Sequence, residues 1–239
     1  MTTTNPNPNS ITIRLPSQYP NGDSTTQPTT FTPPPLPFLY RTWTVTHSTL
    51  RMWRSARNVR ITYGELPPKE VKAGDTKQQQ QGQQEQQAQA RMSDLVESEF
   101  LSGKGGVRRI EGIDTATSPS DTSSWDWRGK PLWLRLLAGT SHWEVLGWGE
   151  RVVVSAQDGG GEEEGQQQVE RWMVTWFAPT LFTAEGIDIY SDRREGGSEG
   201  LVEDVLAELK RVTKGRGKLG ELVEGEMRKV EVVLPWKEA

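Results

Sequence analysis

The sequence contains no cysteine, and this absence excludes disulfide bonds. Small secreted domains often depend on disulfides, so the lack of cysteine favours an intracellular, cytoplasmic protein. Histidine is also scarce, because His47 and His142 are the only two in 239 residues. A tetrahedral zinc site would then depend on carboxylates, so the sequence predicts no metal and no other cofactor.

Long apolar runs are missing as well. None approaches the roughly 18 residues that a membrane-spanning helix needs, and the first residues lack the charged start and apolar stretch of a signal peptide. The 28 basic and 32 acidic residues give a net charge of −4. General nucleic-acid binders neutralise phosphates with excess positive charge, so this balance argues against one. We therefore predict neither a membrane span nor a nucleic-acid partner.

Polar tracts divide the chain. Residues 1–36 are rich in Thr, Asn and Pro, with too little apolar surface to offset the entropy cost of ordering, so we predict a disordered N-terminal tail. Glutamine- and glycine-rich tracts lie near 74–90 and 155–170. We interpret both as loop insertions, because the entropy of closing a loop grows slowly with its length. Residues 37–239 are predicted to form one domain.

Apolar residues elsewhere mostly alternate with polar ones, and this period of two predicts β-strands. The alternation is clear in "TWTVTH", "NVRITYG", "HWEVLGWG", "ERWMVTWFA" and "GIDIYS". Eight or nine short strands joined by turns are typical of a sandwich or a barrel. One helix is predicted after the last strand, where an apolar stripe runs from Leu201 to Val212 and would pack outside the sheet.

The order of these features resembles the calycins, and the lipocalins in particular. Trp43 in "RTWTVTH" matches the Trp near the start of the lipocalin first strand, and Arg193 or Arg194 in "IYSDRREGG" matches the Arg after the last strand. The resemblance implies an all-β, closed antiparallel barrel whose floor is this Arg stacked on this Trp. Arg41 stands where lipocalins usually carry Gly. The segments "SHWEVLGW" and "GIDIYS" are also similar to fungal lipocalin-like proteins.

Every second residue of a barrel strand points inward. The residues predicted to point inward and contact a ligand are Val45, His47, Ile61, Tyr63, Trp143, Val145, Trp172, Val174, Trp176, Ile187 and Ile189. These side chains could fill a solid core or line a cavity, and the resemblance favours a cavity. Tyr63, Tyr190 and His47 would be its polar groups.

Arginines recur every third residue after the first strand, at Arg51, Arg54 and Arg57. Such spacing is typical of a solvated face with local ion pairs. In lipocalin-like barrels this segment covers the open mouth, so the three arginines could instead form a basic rim that contacts an anionic head group.

No catalytic constellation is predicted. The segment "GGSEG", 196–200, formally matches a GxSxG nucleophile elbow, but both histidines precede it, so we interpret Ser198 as a helix N-cap. The sequence favours non-catalytic binding of a small hydrophobic ligand that is lipid-, isoprenoid- or tetrapyrrole-like. One alternative is a barrel isomerase or cyclase that uses His47, Tyr63 or Tyr190 as acid or base. Another is a protein-interaction scaffold with a solid core, whose protein partners the sequence does not identify.

Overall fold

The structure, a computed structural model, describes residues 11–19, 31–69, 88–130, 140–154, 167–181 and 183–238. Eight strands follow one another, each antiparallel to the next: β1 Thr42–Ser48, β2 Ala56–Lys69, β3 Gln89–Phe100, β4 Arg108–Ser118, β5 Asp121–Gly129, β6 Ser141–Val154, β7 Gln167–Phe177 and β8 Gly186–Ser191. Strand β8 also pairs with β1, with Tyr190 opposite Val45, and this pairing closes the barrel. The predicted closed antiparallel barrel is confirmed. The short strand β9, Arg228–Lys229, pairs with β1 as an extra strand.

Helices flank the barrel at both ends of the chain. Helix α1, Leu36–Leu39, precedes β1, and a 3-10 helix, Arg51–Ser55, links β1 to β2. The predicted C-terminal helix is α2, Glu199–Thr213, and a second one that was not predicted, α3, Lys218–Glu226, follows it. Ser198 occupies the N-cap of α2, but its hydroxyl makes no capping bond; its backbone N–H donates to Glu170 at 2.5 Å. None of these helices is long and apolar enough to cross a membrane.

Two separate apolar cores lie on the two faces of the sheet. The inner core lies inside the barrel and includes Trp43, Val45, Ile61, Tyr63, Trp125, Trp143, Val145, Met173 and Tyr190. The outer core lies between β6, β7, β8 and the C-terminal helices, and includes Leu146, Trp172, Val174, Trp176, Ile187, Ile189, Leu201, Val205 and Leu209. Strands β7 and β8 are therefore buried on both faces.

Part of the N-terminal region belongs to the fold. Ile13 and Leu15 are buried in the outer core, and the backbone N–H of Arg14 donates to the Leu146 carbonyl at 2.8 Å. The prediction of a disordered tail is therefore corrected for 11–19, where "ITIRL" gives one apolar face that the composition of the whole tail conceals. Residues 1–10 and 20–30 lie outside the described residues.

The predicted insertions fall mostly on residues that the structure does not describe. These are 70–87 and 155–166. The segment "LWLRLLAG" at 132–139, whose weak alternation also predicts a strand, lies outside the described residues as well. Residues 89–90 belong to β3 and 167–170 to β7, so the regular strands begin earlier than the sequence suggested. Strand β5 was missed because "DTSSWDWRG" carries only two apolar residues, Trp125 and Trp127.

The floor of the barrel is built on Trp43, which is fully buried beneath α1. Its indole N–H donates to the Leu39 carbonyl at 3.1 Å, and the ring of Phe38 lies 5.3 Å from its ring, centroid to centroid. The cation over the indole is Arg41, whose guanidinium carbon is 5.4 Å from the ring centroid.

The arginines that the resemblance assigned to the floor have other partners. Arg193 pairs with Glu195 at 2.5 Å, and the guanidinium carbon of Arg194 lies 4.7 Å from the centroid of Trp236. The predicted stacking on Trp43 is therefore wrong in its partner. Arg41 takes this position because it precedes Trp43 by two residues, and in an extended chain such residues share a face.

Candidate functional site

A cavity of about 240 Å³ opens at the end of the barrel opposite Trp43. Its mouth lies between the 3-10 helix and the connection from β7 to β8, where Leu50, Met52, Thr180, Thr183 and Ala184 contribute to the lining. Deeper in the barrel, the aliphatic side chains that line it are Ile61, Val96 and Ile110. The lining is mostly apolar, as in sites that bind small molecules.

Aromatic rings form one wall of the cavity. Tyr63 stacks on Trp143 with centroids 5.6 Å apart and planes 11° from parallel, and the ring of Phe177 lies 6.4 Å from that of Trp143, centroid to centroid. Pairing of β6 with β7 sets Trp143 directly opposite Phe177, so the strand register brings these rings together. Trp53 and Trp127 complete the set of rings that line the cavity.

Three aspartates are buried at the cavity. Asp94 and Asp188 line it, and Asp114 lies behind Trp143, whose indole N–H donates to Oδ1 of Asp114 at 2.8 Å. Asp188 accepts hydrogen bonds from the Ser48 hydroxyl at 2.5 Å and from the Trp53 indole N–H at 3.3 Å. Oδ1 of Asp94 and Oδ2 of Asp114 meet no hydrogen-bond donor among the described residues.

Burial changes the acidity of these groups. Loss of water contact raises the pKa of Asp188 to about 7 and that of Asp114 to about 7. Burial also raises the pKa of Asp94 well above its usual range, and the neighbouring charge of Asp114 adds to this effect. Asp188 thus gives the cavity one carboxyl group whose pKa of about 7 lies near neutral pH.

Two buried phenols lie beside these carboxyl groups. Burial is the main cause that raises the pKa of both Tyr63 and Tyr190 well above the ordinary value, so both stay neutral. The Tyr190 hydroxyl lies close to Tyr63 and Thr175 without forming a hydrogen bond of good geometry. Phenols and carboxyl groups together supply polar partners for a ligand inside an apolar barrel.

Several predicted site residues face the inside of the barrel, as expected. Ile61, Tyr63 and Trp143 line the cavity, while Val45 and Val145 are fully buried in the inner core. The structure places these five residues on the inner face of the barrel, and their contact with a ligand stays a prediction.

The five predicted residues of β7 and β8 do not face the cavity. The structure places Trp172, Val174, Trp176, Ile187 and Ile189 in the outer core, against α2 and α3. The inward residues of these strands are the alternate ones, Met173, Thr175, Phe177, Asp188 and Tyr190. Alternation determines which residues share a face of the strand but not which face points into the barrel. Here the C-terminal helices cover the outer face, so the residues on that face are apolar as well.

His47 also lies away from the cavity. It lines an outer groove together with Lys229 and residues of α2 such as Val202. Burial, with a smaller contribution from Lys229, lowers its pKa to about 4. The predicted role of His47 as a polar group of the cavity is therefore corrected.

The three arginines after β1 are engaged with carboxylates. Arg51 pairs with Glu226 at 3.2 Å, Arg54 contacts the same carboxylate, and Arg57 pairs with the buried Glu99 at 3.0 Å. None of the three belongs to the described lining of the cavity. All three arginines therefore form ion pairs, but with carboxylates that are distant in the sequence, and the structure does not place a basic rim around the mouth.

Sequence reasoning missed the polar residues of the cavity. Asp188 stands between two isoleucines in "GIDIYS", Asp94 opens the apolar part of "SDLVESEF", and neither of them was assigned to the site from the sequence. Trp53 and Trp127 lie in segments that lack clear alternation. Among the described residues, no cluster of His, Asp or Glu has the arrangement of a metal site.

Comparisons with known proteins give matches among solved structures. No family model and no curated protein matches the chain. Lobster apocrustacyanin A1 is 8% identical, with a TM-score of 0.43 over 82% of this chain and 79% of that one. Apocrustacyanin C2 is 8% identical, with a TM-score of 0.44 over 82% and 79%. The siderocalin Ex-FABP is 11% identical, with a TM-score of 0.41 over 82% and 95%. Crustacyanin and siderocalin are lipocalins.

Proposed function

We propose that this protein binds a small, largely apolar ligand in its barrel cavity without chemical turnover. The observation that carries the proposal is the cavity of about 240 Å³, open at one end and lined by aromatic and aliphatic side chains. A solid core would leave no such space, and an apolar pocket with a few placed polar groups is the usual form of a ligand site.

The size of the cavity narrows the class of ligand. Sites for drug-sized molecules usually span about 300 to 1,000 Å³, and this cavity lies below that range. A short lipid, a small isoprenoid or a single ring system fits such a volume. A tetrapyrrole is too large for it unless the barrel opens.

A titration of the delipidated full chain tests the proposal. Geraniol, a small isoprenoid alcohol, should give saturable calorimetric binding. Val96→Phe, which adds a ring where Val96 lines the cavity, should weaken that binding, whereas Val152→Phe on an exposed part of β6 should not. No saturable binding of geraniol or of any other small apolar probe would support the solid-core scaffold instead.

A barrel enzyme is the second candidate, and Asp188 is the observation that favours it. A carboxyl group with a pKa of about 7 in an apolar cavity is suited to general acid–base work near neutral pH. Of the residues first considered for this role, His47 lies outside the cavity. Mass spectrometry of a ligand recovered after long incubation separates the two functions, because a binding protein returns it unchanged.

A further inference from the structure

We infer that the ligand of this cavity carries a protonated amine, and that the carboxylate of Asp94 accepts a hydrogen bond from it. This inference rests on the proposed function. It reverses the charge expected from the sequence, where arginines at the mouth suggested an anionic head group.

The geometry of Asp94 is the first reason. Its side chain lines the cavity, the residue is only 7% exposed, and its Oδ1 meets no donor among the described residues. A buried acceptor without a partner is costly, because it has lost its hydrogen bonds to water and gained none in return. A ligand that brings an N–H group to Oδ1 removes this cost.

The sign of the surrounding charge is the second reason. The acidic groups that line the cavity are Asp94 and Asp188, and Asp114 lies behind them. The described lining contains no Lys, Arg or His. A carboxylate ligand would find no cation and would disfavour ionisation of the aspartates, whereas an ammonium group would favour their ionised form and pair with it.

The aromatic wall is the third reason, and it is independent of the carboxylates. Trp53, Tyr63, Trp127 and Trp143 all line the space that the Asp94 carboxyl borders. Indole and phenol rings attract cations through their quadrupoles, and this attraction is strongest where water is excluded. Rings and carboxylates together form a setting that suits the ammonium group of a small organic amine.

The acidity of Asp94 agrees with this reading. Its pKa is raised because the carboxyl group is buried and has Asp114 beside it, although the nearby Trp127 side chain acts to lower it. A cation beside Asp94 would favour the ionised form. The ion pair can form in two ways. An ammonium ion can bind while the Asp94 carboxyl group releases its proton to water, or a neutral amine can accept that proton directly. A neutral alcohol could also donate to Oδ1, so the test has to separate amine from alcohol.

The test is isothermal titration of the delipidated full chain with three probes of equal length: phenylpropylamine, phenylpropanol and phenylpropanoate. Near neutral pH the amine should bind at least about tenfold more tightly than the alcohol, which corresponds to about 1.4 kcal/mol. The carboxylate should bind most weakly. Asp94→Asn should abolish the preference for the amine and retain binding of the alcohol. Asp204→Asn is the matched control, because it removes the same charge from an exposed position on α2.

The outcomes distinguish this inference from the proposed function. If the alcohol or the carboxylate binds as tightly as the amine, or the preference survives in Asp94→Asn, the inference is wrong while the cavity remains a binding site. If no small apolar probe binds, the proposed function fails and the inference falls with it. Should Asp94→Asn not fold, the ranking of the three probes on the parent protein decides alone.

Discussion

The guanidinium of Arg41 lies over the indole of Trp43, with its carbon 5.4 Å from the ring centroid. The same guanidinium lies 5.1 Å from the ring of Phe38 and pairs with Asp192 at 3.5 Å. Arg41 therefore ties the entrance of β1 to the residue that follows the end of β8. The floor of the barrel is closed by a cation that is local in sequence to the tryptophan.

The first prediction concerns this floor. Trp43→Ala should lower the free energy of unfolding by about 3 to 5 kcal/mol, as large aromatic deletions in cores do. Arg41→Gln should lower it by about 0.5 to 2 kcal/mol through the lost cation–π contact. Arg193→Gln is the control and should change stability little, because its ion pair with Glu195 is exposed. Urea denaturation measures all three, and a larger loss from Arg193→Gln than from Arg41→Gln would contradict the structure.

Alternation was sufficient to predict the strands, because it marks them regardless of which face is inside. The choice of a closed barrel over a sandwich was implied by the resemblance to lipocalins. In β2 the assignment of faces was also correct, since Ile61 and Tyr63 alternate with the polar Arg60 and Thr62. In β7 both faces are apolar, with Trp172 and Trp176 outside and Met173 inside. The pattern in β7 therefore does not show which face is inside. The outer face is covered by the C-terminal helices, and this contact between distant segments cannot be read from the local sequence.

The candidate site was less predictable for a related reason. A charged residue within an apolar strand is expected to face solvent, since burying a charge is costly. Asp188 is buried because Ser48 and Trp53, 140 and 135 residues away in the chain, supply its hydrogen bonds. These hydrogen bonds offset the cost of burying Asp188, and they depend on contacts between distant segments. Local sequence patterns could therefore predict the strands of the barrel but not the polar residues that line its cavity.

The second prediction tests which tryptophans report on the cavity. If an apolar ligand quenches tryptophan emission, Trp143→Phe should reduce the quenching amplitude, because Trp143 lines the cavity. Trp172→Phe should leave the quenching amplitude unchanged, because Trp172 packs on the outer face. Fluorescence titration with geraniol provides the measurement. Equal losses in the two variants would mean that the faces of β7 are assigned incorrectly.

The third prediction concerns the N-terminal segment 11–19. The carboxylate of Glu144 is 1% exposed and accepts hydrogen bonds from the guanidinium of Arg14 at 2.7 Å and from the Ser17 hydroxyl at 2.5 Å. These donors, with His142, keep the pKa of Glu144 at about 2 although burial opposes them. Arg14→Ala leaves that charge without its cation, and such losses usually cost about 3 to 5 kcal/mol.

Thermal and urea unfolding of Arg14→Ala measure the effect. Arg211→Ala is a suitable control, because Arg211 is largely exposed and pairs only with Glu208 on the same helix. Its loss should be below about 1 kcal/mol. Equal stability of Arg14→Ala and the parent protein would show that segment 11–19 does not hold the barrel in solution.

The fourth prediction concerns the pH dependence that Asp188 gives to stability. Burial raises its pKa from the ordinary 3.8 to about 7, against hydrogen bonds from Ser48 and Trp53 that lower it. Between these two values the folded protein retains a proton that the unfolded chain has released. The contribution of Asp188 to the free energy of unfolding therefore decreases as the pH rises through this window, by about 1.4 kcal/mol per unit of pKa difference.

Asp188→Asn isolates this contribution, because the amide has no such proton to lose. Other groups also titrate in this range, such as His47 with its lowered pKa of about 4 and Asp114 with its raised pKa of about 7. Their contributions are largely the same in parent and variant, so they cancel in the difference between the two proteins. Relative to the parent, the variant should gain stability as the pH rises from about 4 to about 7, and Asp204→Asn on the exposed face of α2 should show no such trend. Urea denaturation at several pH values measures the difference. A difference that is constant with pH would mean that the Asp188 carboxyl group is ionised inside the barrel, in which case its hydrogen bonds and not its protonation compensate its burial.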